Sequence, residues 1–131
     1  MSVFRFLDTV AELKTDKSLT AFFTLRGDEE FLKDHFDGFP VMPGVLLLEA
    51  LAQAAAELLV SSKPKERFYR LAEAASVRFG QFVRPGNRVR LGVQLLERRP
   101  LFIRFSGRID LADGRGAGNK VLTADFALSP L

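Results

Sequence analysis

One segment of this chain is so apolar that it predicts a buried α-helix. From Val45 to Ala56 the sequence contains only two polar side chains, Glu49 and Gln53. Because these two residues are four apart, they lie on one face of a helix that is otherwise apolar all round. A carboxyl group on such a helix must be paired, protonated or used as an acid, since a lone buried carboxylate is strongly disfavoured.

Outside this helix the sequence alternates apolar and polar residues, which predicts β-strands. The alternation covers residues 19–25, 69–83, 88–96, 101–111 and 120–128. In the strand at 101–111 the two faces are clearly different. One face carries Ile103, Phe105, Ile109 and Leu111, and the other carries Arg104, Ser106, Arg108 and Asp110. A long apolar helix with an antiparallel sheet around it is an α+β architecture.

The remaining segments are predicted turns. Residues 28–34 favour a short helical turn, and the polar segment from Ser61 to Lys65 favours a surface loop after the helix. The glycine-rich stretch from Asp113 to Lys120 could be mistaken for a phosphate-binding loop, but no Lys-Ser/Thr pair follows the glycines. A long hairpin turn between two strands is the better interpretation.

Composition limits the classes of protein to consider. With 131 residues and 47% hydrophobic content, the chain supports one domain spanning residues 1–131. Zero cysteines exclude disulfides and thiolate chemistry and are compatible with the cytoplasm. We expect no signal peptide and no membrane span. The net charge of +3 favours an acidic or phosphate-bearing partner over nucleic acid, because no nucleic-acid-binding motif accompanies the arginines.

Two further residues stand out beside the helix. His35 is the only histidine, and it lies upstream in a Gly/Pro-rich loop; histidine is the side chain best suited to proton transfer near neutrality. Gly44 follows Pro43, which is a common arrangement at the start of a helix. The N-terminus of a helix also offers unpaired N–H groups and a positive dipole end, which would stabilise a negatively charged oxygen.

Two blocks of sequence resemble a known enzyme family. Residues 35–53 read H-F-D-G-F-P-V-M-P-G-V-L-L-L-E-A-L-A-Q, and residues 78–87 read R-F-G-Q-F-V-R-P-G-N. Both blocks, at this separation, resemble the signatures of the 3-hydroxyacyl-(acyl carrier protein) dehydratases of fatty acid synthesis, which have the hotdog fold. The resemblance covers roughly residues 4–128. Glutamate at position 49 resembles the general elongation branch, whereas the dehydratase-isomerase branch has aspartate there.

The resemblance implies a role for each site residue. His35 would take the C2 proton, and Glu49, kept protonated by its apolar helix, would protonate the departing C3 hydroxyl. The N–H of Gly44 would hold the thioester carbonyl oxygen. Gln53 would orient the carboxyl group, while Phe36 and Phe79, with Phe39 and Phe82, would line the acyl tunnel. No metal and no cofactor are expected beyond the phosphopantetheine that carries the substrate.

The resemblance also implies partners. In this family the active sites form at a dimer interface, where the histidine loop of one subunit faces the acidic residue of the other. We therefore expect a homodimer, or a trimer of dimers, that binds an acidic acyl carrier protein. Arg84 and Arg88 are candidate contacts for that carrier.

Some questions stay open at this point. Family members commonly have proline where this chain has Asp37, and the N-terminal entrance is shorter than usual, so fatty acid synthesis and a specialised polyene or polyketide pathway are both compatible with the sequence. Two other functions remain as alternatives. One is a hotdog acyl thioesterase, and the other is a non-catalytic dehydratase-like subunit that binds acyl carrier protein.

Overall fold

A computed structural model of the chain describes residues 5–29, 41–62, 69–113 and 118–131. Within these ranges six strands accompany one long helix. The elements are β1 (Thr9–Lys14), β2 (Ser18–Thr24), α1 (Gly44–Ser62), β3 (Tyr69–Phe79), β4 (Arg88–Arg98), β5 (Ile103–Leu111) and β6 (Lys120–Pro130). The α+β class predicted from the sequence is confirmed. The turn predicted at 28–34 lies almost entirely outside the described residues.

The six strands form one antiparallel sheet in the order β1-β2-β4-β5-β6-β3. The pairing of β5 with β6 confirms the hairpin predicted for the glycine-rich stretch between them. The chain leaves β2, forms α1 and then enters the sheet again at its far edge as β3. The helix therefore packs across one face of the sheet, in the connection between β2 and β3. The edge strands are β1 and β3.

One face of the sheet and one face of α1 form the core. In β5 buried and more exposed residues alternate, with Ile103, Phe105, Ile109 and Leu111 all buried, so the predicted face assignment is confirmed. The helix contributes Leu51, which is fully buried. A Cβ atom placed on Gly107 of β5 would lie 2.9 Å from a methyl group of Leu51. The absence of a side chain at Gly107 thus lets the helix approach the sheet closely.

The prediction that α1 is buried all round holds for only one of its faces. Leu47, Leu51 and Leu58 pack into the core, but Val45 is 70% exposed and Leu48 is only partly buried. By length and composition α1 could cross a membrane, yet its packing against the sheet is that of a core helix. In a single chain, an apolar strip of α1 that includes Val45 and Leu48 is therefore not covered.

The strands differ from the predicted ones by more than two residues at two places. β3 ends at Phe79 instead of continuing to residue 83, although the amides of Gly80 and Gln81 still bond to backbone carbonyls of the β6 segment. β1 was not predicted from the pattern. All six of its residues are exposed, so the sequence there lacks the alternation that a half-buried strand shows.

Candidate active site

The helix α1 begins at a site that is suited to an oxyanion. Gly44 is its first residue, and the carbonyl oxygen of Pro43 accepts hydrogen bonds from the amides of Leu46 and Leu47. The amides at the start of a helix have no acceptor within the helix. No acidic side chain occupies the first turn of α1, so the positive end of the helix dipole is not neutralised locally.

Phe79 lies directly against Gly44. A Cβ atom on Gly44 would be 2.7 Å from Cε1 of Phe79 and 2.9 Å from its Cζ, distances that real side chains do not tolerate. Phe79 is the last residue of β3, and the residue is 59% exposed in the single chain. The structure thus brings together two residues of different signature blocks, Gly44 and Phe79. Glycine is required at position 44 for this ring to pack where it does.

Glu49 projects from the second turn of α1. Its side chain is half-buried, and within the described part of the chain no group forms a hydrogen bond or ion pair with its carboxyl. The preceding turn carries exposed Val45, and the following turn carries Gln53. The carboxyl group therefore lies on the helix face that a single chain covers only partly.

Gln53 has a partner that the sequence did not suggest. Its Oε1 accepts a hydrogen bond of 2.8 Å from the backbone amide of Phe6. Phe6 is itself buried, and its ring packs edge-on against Phe23 of β2 at a centroid distance of 5.4 Å. In the structure Gln53 therefore fixes the N-terminal segment to α1. An orienting effect of Gln53 on Glu49 stays a prediction.

The segment between β3 and β4 forms a turn next to the start of α1. The amide of Met42 donates to the carbonyl of Val83 at 2.9 Å. On the other side of the turn, the amide of Leu25 donates to the carbonyl of Asn87, and the amide of Gly86 donates to the carbonyl of Leu25. The sequence analysis assigned no structural role to these contacts.

Two sequence-predicted site residues, His35 and Phe36, lie outside the described residues, as does Phe39. Phe82 is 58% exposed, like Phe79, and the tunnel role of both rings stays a prediction. In the ranges that the structure describes, no cluster of His, Cys, Asp or Glu could hold a metal ion.

The two candidate carrier contacts lie beside the same turn. Arg84 precedes Pro85, and its amide donates to the side-chain Oδ1 of Asn87 at 2.8 Å. Arg88 begins β4, and its guanidinium lies 4.2 Å from the ring centroid of Phe22. The ring contact orders part of the Arg88 side chain, and a contact of either arginine with a carrier stays a prediction.

Comparison with known proteins gives a consistent result. A family model described as ApeI-like, ApeI dehydratase, matches residues 11–115. The chain is 38% identical over 125 residues to a 3-hydroxyacyl-[acyl-carrier-protein] dehydratase FabZ of Legionella pneumophila, covering 92% of this chain and 83% of that protein. It is 40% identical over 95 residues to FabZ of Pediococcus pentosaceus, covering 72% of this chain and 64% of that protein.

The fold agrees with a solved dehydratase. The dehydratase heterocomplex ApeI:P from Xenorhabdus doucetiae contains a chain that matches with a TM-score of 0.76 at 21% identity, covering 96% of this chain and 82% of that one. Among the described residues, a six-stranded antiparallel sheet around one long helix is the hotdog arrangement that the family resemblance implied. The chain therefore belongs to the hotdog-fold family of 3-hydroxyacyl-[acyl-carrier-protein] dehydratases, and it is a hydro-lyase of that family.

Proposed function

We propose that this chain removes water from a (3R)-3-hydroxyacyl thioester, carried by acyl carrier protein in the cytoplasm, to give the trans-2-enoyl thioester. The proposal rests on the arrangement of residues at the start of α1. Gly44 opens a helix whose first turn has no acidic side chain, and Glu49 follows on the second turn with no partner among the described residues. An oxyanion site and a proton donor on adjacent turns are what this elimination needs.

The proposed steps assign one task to each group. The thioester carbonyl oxygen accepts a hydrogen bond from the N–H of Gly44, which makes the C2 proton more acidic. His35 takes that proton, and the C2–H electron pair forms the C2–C3 double bond. Glu49, acting as the general acid, gives a proton to the C3 hydroxyl as the C3–O bond breaks, and water leaves. A proton must then pass from His35 back to Glu49, directly or through water, before the next turnover.

The exposed surface supports a homodimer that completes the site. β3 pairs with β6 on one side only, and an unpaired strand edge readily accepts a strand from a second chain. Val45 and Phe79 are exposed apolar side chains beside this edge and the start of α1. A second copy packed here would cover the open strip of α1 and desolvate Glu49. We propose that His35 reaches Glu49 from the partner subunit of such a dimer.

The dimer proposal is tested by sedimentation of matched variants. Val45→Asp should dissociate the dimer, because a charge would be buried at the interface. Leu101→Asp is the control, since Leu101 is also 70% exposed but lies in the turn between β4 and β5. Equal effects of both variants, or none from Val45→Asp, would argue against this interface.

A second possibility is a heterodimer. It is favoured by the structural similarity to a chain of the dehydratase heterocomplex ApeI:P, which is a complex of unlike chains. A purified chain that sediments as a monomer, and that gains activity only on addition of a second hotdog subunit, would support this alternative over the homodimer. A stable, active homodimer would exclude it.

The activity itself is tested by mass spectrometry of 3-hydroxyacyl carrier protein after incubation with the enzyme. We expect the loss of one water from the carrier-bound acyl chain. Release of free carrier thiol would instead indicate a thioesterase, and an unchanged substrate would indicate a non-catalytic subunit. Glu49→Gln is the matched control, because it keeps the side-chain shape and removes the proton donor. A series of acyl chains of different length would then define the preferred substrate.

The carrier protein is tested separately from the chemistry. We propose that Arg88 contacts the acidic carrier or its phosphate, since it lies next to the turn that borders the start of α1. Arg88→Glu should raise KM for the carrier-bound substrate and leave activity on a small 3-hydroxyacyl thioester unchanged. Arg99→Glu makes the same charge change at the turn between β4 and β5 and should have no effect.

A further inference from the structure

A β-bulge in β3 decides which side chain lies beside the start of α1. Ala75 pairs with Asp125 of β6 and Arg78 pairs with Thr123, so two residues of β3 lie opposite one residue of β6. One of the two is Ser76, whose φ of 52° lies in the left-handed region that residues other than glycine seldom adopt. An extra residue in this conformation is typical of a β-bulge, and glycine usually takes that place.

The bulge changes the alternation of faces along β3. Ala74 pairs with Phe126, which is buried, so Ala74 is on the core-facing side of the sheet. Phe79 pairs with Leu122, which is also buried, so Phe79 is on the same side. In a regular strand, two residues that are five positions apart lie on opposite faces. The extra residue of the bulge therefore puts Phe79 on the core-facing side.

Without the bulge, Arg78 would take the place of Phe79. Arg78 pairs with Thr123, whose own partner in β5 is Arg108, on the face of the sheet away from the core. A slip of one residue would turn Arg78 toward α1 and Phe79 away from it. A guanidinium beside Gly44 would lie at the positive end of the helix dipole, where a cation is unfavourable. The bulge thus keeps an apolar ring at the start of α1 and directs the cation outward.

We propose that Ser76 is a positioning residue, which holds the Phe79 ring against Gly44 as one wall of the acyl-binding site. The ring and the start of the helix are in contact, since a Cβ atom on Gly44 would lie 2.7 Å from Cε1 of Phe79. Serine is not β-branched, whereas valine or threonine is strongly disfavoured at a positive φ. The effect on turnover rests on the proposed dehydratase function, but the orientation of Phe79 by the bulge does not.

The structural test compares Ser76→Val with Ala75→Val. Both substitutions add the same branched side chain at an exposed position of β3, but of the two positions only residue 76 has a positive φ. A nuclear Overhauser effect between the ring protons of Phe79 and the α-protons of Gly44 reports their contact. This signal should be present in the wild type, in Ala75→Val and in Ser76→Gly, and it should be lost in Ser76→Val. Ser76→Thr keeps the hydroxyl group and adds only the branch, so it serves as the milder variant if Ser76→Val does not fold.

The kinetic test asks whether Ser76 acts through Phe79. Ser76→Val should lower kcat on a 3-hydroxyacyl carrier protein about 10-fold to 100-fold, because a misplacement of about 1 Å can cost ~10²-fold. Ser76→Gly should keep at least about half of the wild-type kcat, since glycine adopts a positive φ without strain. In a Phe79→Ala background, Ser76→Val should change kcat less than about twofold, because the ring that it misplaces is absent. A purely structural role would give the same loss in both backgrounds.

The outcomes distinguish this inference from the proposed function. If Ser76→Val loses the ring contact but even the wild-type protein does not dehydrate the substrate, positioning by Ser76 stands and the dehydratase proposal fails. A retained contact in both Ser76→Val and Ser76→Thr would overturn the inference. Loss of the contact with kcat unchanged in an active enzyme would also overturn it, as would equal losses of kcat with and without the Phe79 ring.

Two further results would count against Ser76 as a positioning residue. If both branched variants fail to fold, Ser76 is a structural residue of β3. If Ser76→Val sediments as a monomer while Ala75→Val sediments like the wild type, the bulge serves association at the strand edge instead.

Discussion

The contact between Gly44 and Phe79 gives the sharpest prediction for this site. In Gly44→Ala the new methyl group would start 2.7 Å from Cε1 of Phe79. Carbon atoms prefer separations of about 3.5–4.0 Å, so the ring has to move by roughly 1 Å. Phe79 is 59% exposed and free to turn away from α1. Alanine also favours a helix over glycine by up to about 1 kcal/mol. We therefore expect the free energy of unfolding to change by less than about 1 kcal/mol.

Turnover should respond much more strongly than stability. If the Phe79 ring forms a wall of the acyl site beside the Gly44 amide, a displacement of about 1 Å should lower kcat by ~10²-fold. Gly44→Val should lower kcat at least as much, because its larger side chain also approaches the thioester. Valine keeps the backbone N–H but blocks access to it, and an oxyanion donor that cannot be used typically costs ~10²–10³ in rate.

A double-mutant cycle separates the two causes. Phe79→Ala in the Gly44→Ala background removes the atoms that the methyl group meets, so it should recover at least about tenfold in kcat. If Phe79→Ala alone leaves kcat unchanged, that recovery corresponds to a coupling of about 1.4 kcal/mol, and any loss in that single variant adds to it. The assay is kcat on a 3-hydroxyacyl carrier protein, with thermal melts of all four proteins as the control. Additive effects, within about 0.5 kcal/mol, would refute a role for this contact. An unchanged kcat in Gly44→Val would remove Gly44 from the mechanism.

The remaining predictions follow from single observations. His35→Ala and Glu49→Gln should each lower dehydration by ~10²–10⁴-fold with the fold retained, and circular dichroism with single-turnover assays would check both. Co-expressed His35→Ala and Glu49→Gln chains should regain one intact site per mixed dimer; verified mixed dimers without activity would place both groups in one chain. Gly80→Ala should destabilise the protein by about 1–3 kcal/mol in urea, because its methyl group would overlap a backbone carbonyl oxygen that cannot move aside. Gly92→Ala, whose nearest contact would be 3.9 Å away, is the matched control. Partial burial raises the pKa of Glu29, but hydrogen bonds from the amides of Arg26 and Gly27 and the charge of Arg26 outweigh it. Since the folded pKa of Glu29 therefore lies below the ordinary value of 4.5, its stabilising effect should be complete above pH 4.5 and fade as pH falls through the folded pKa. The stability difference between wild type and Glu29→Gln should therefore shrink in acid, and a constant difference would contradict this.

The secondary-structure elements were predictable where one face is buried and the other is exposed to solvent. The alternation in β5 gave its two faces correctly, and the polar segment beginning at Ser61 marked the end of α1 within a residue or two. β1 was not predicted from the alternation of apolar and polar residues, because none of its residues is buried in the single chain. The end of β3 was placed too late, since the sequence after Phe79 stays apolar although the chain turns there.

The same distinction between local pattern and long-range packing applies to the site residues. Residue type and local period alone determined that Glu49 and Gln53 share a face of an apolar helix and that Gly44 opens it, because a helix repeats within a few residues. Only the tertiary structure decided that Phe79 lies against Gly44 and that Gln53 bonds to Phe6. It also decided that the turn from Val83 to Asn87 bonds to both Leu25 and Met42. Those contacts join residues far apart in sequence, and they depend on α1 crossing the sheet so that β3 enters at its far edge. No local pattern encodes that order; it results from which apolar faces pack together.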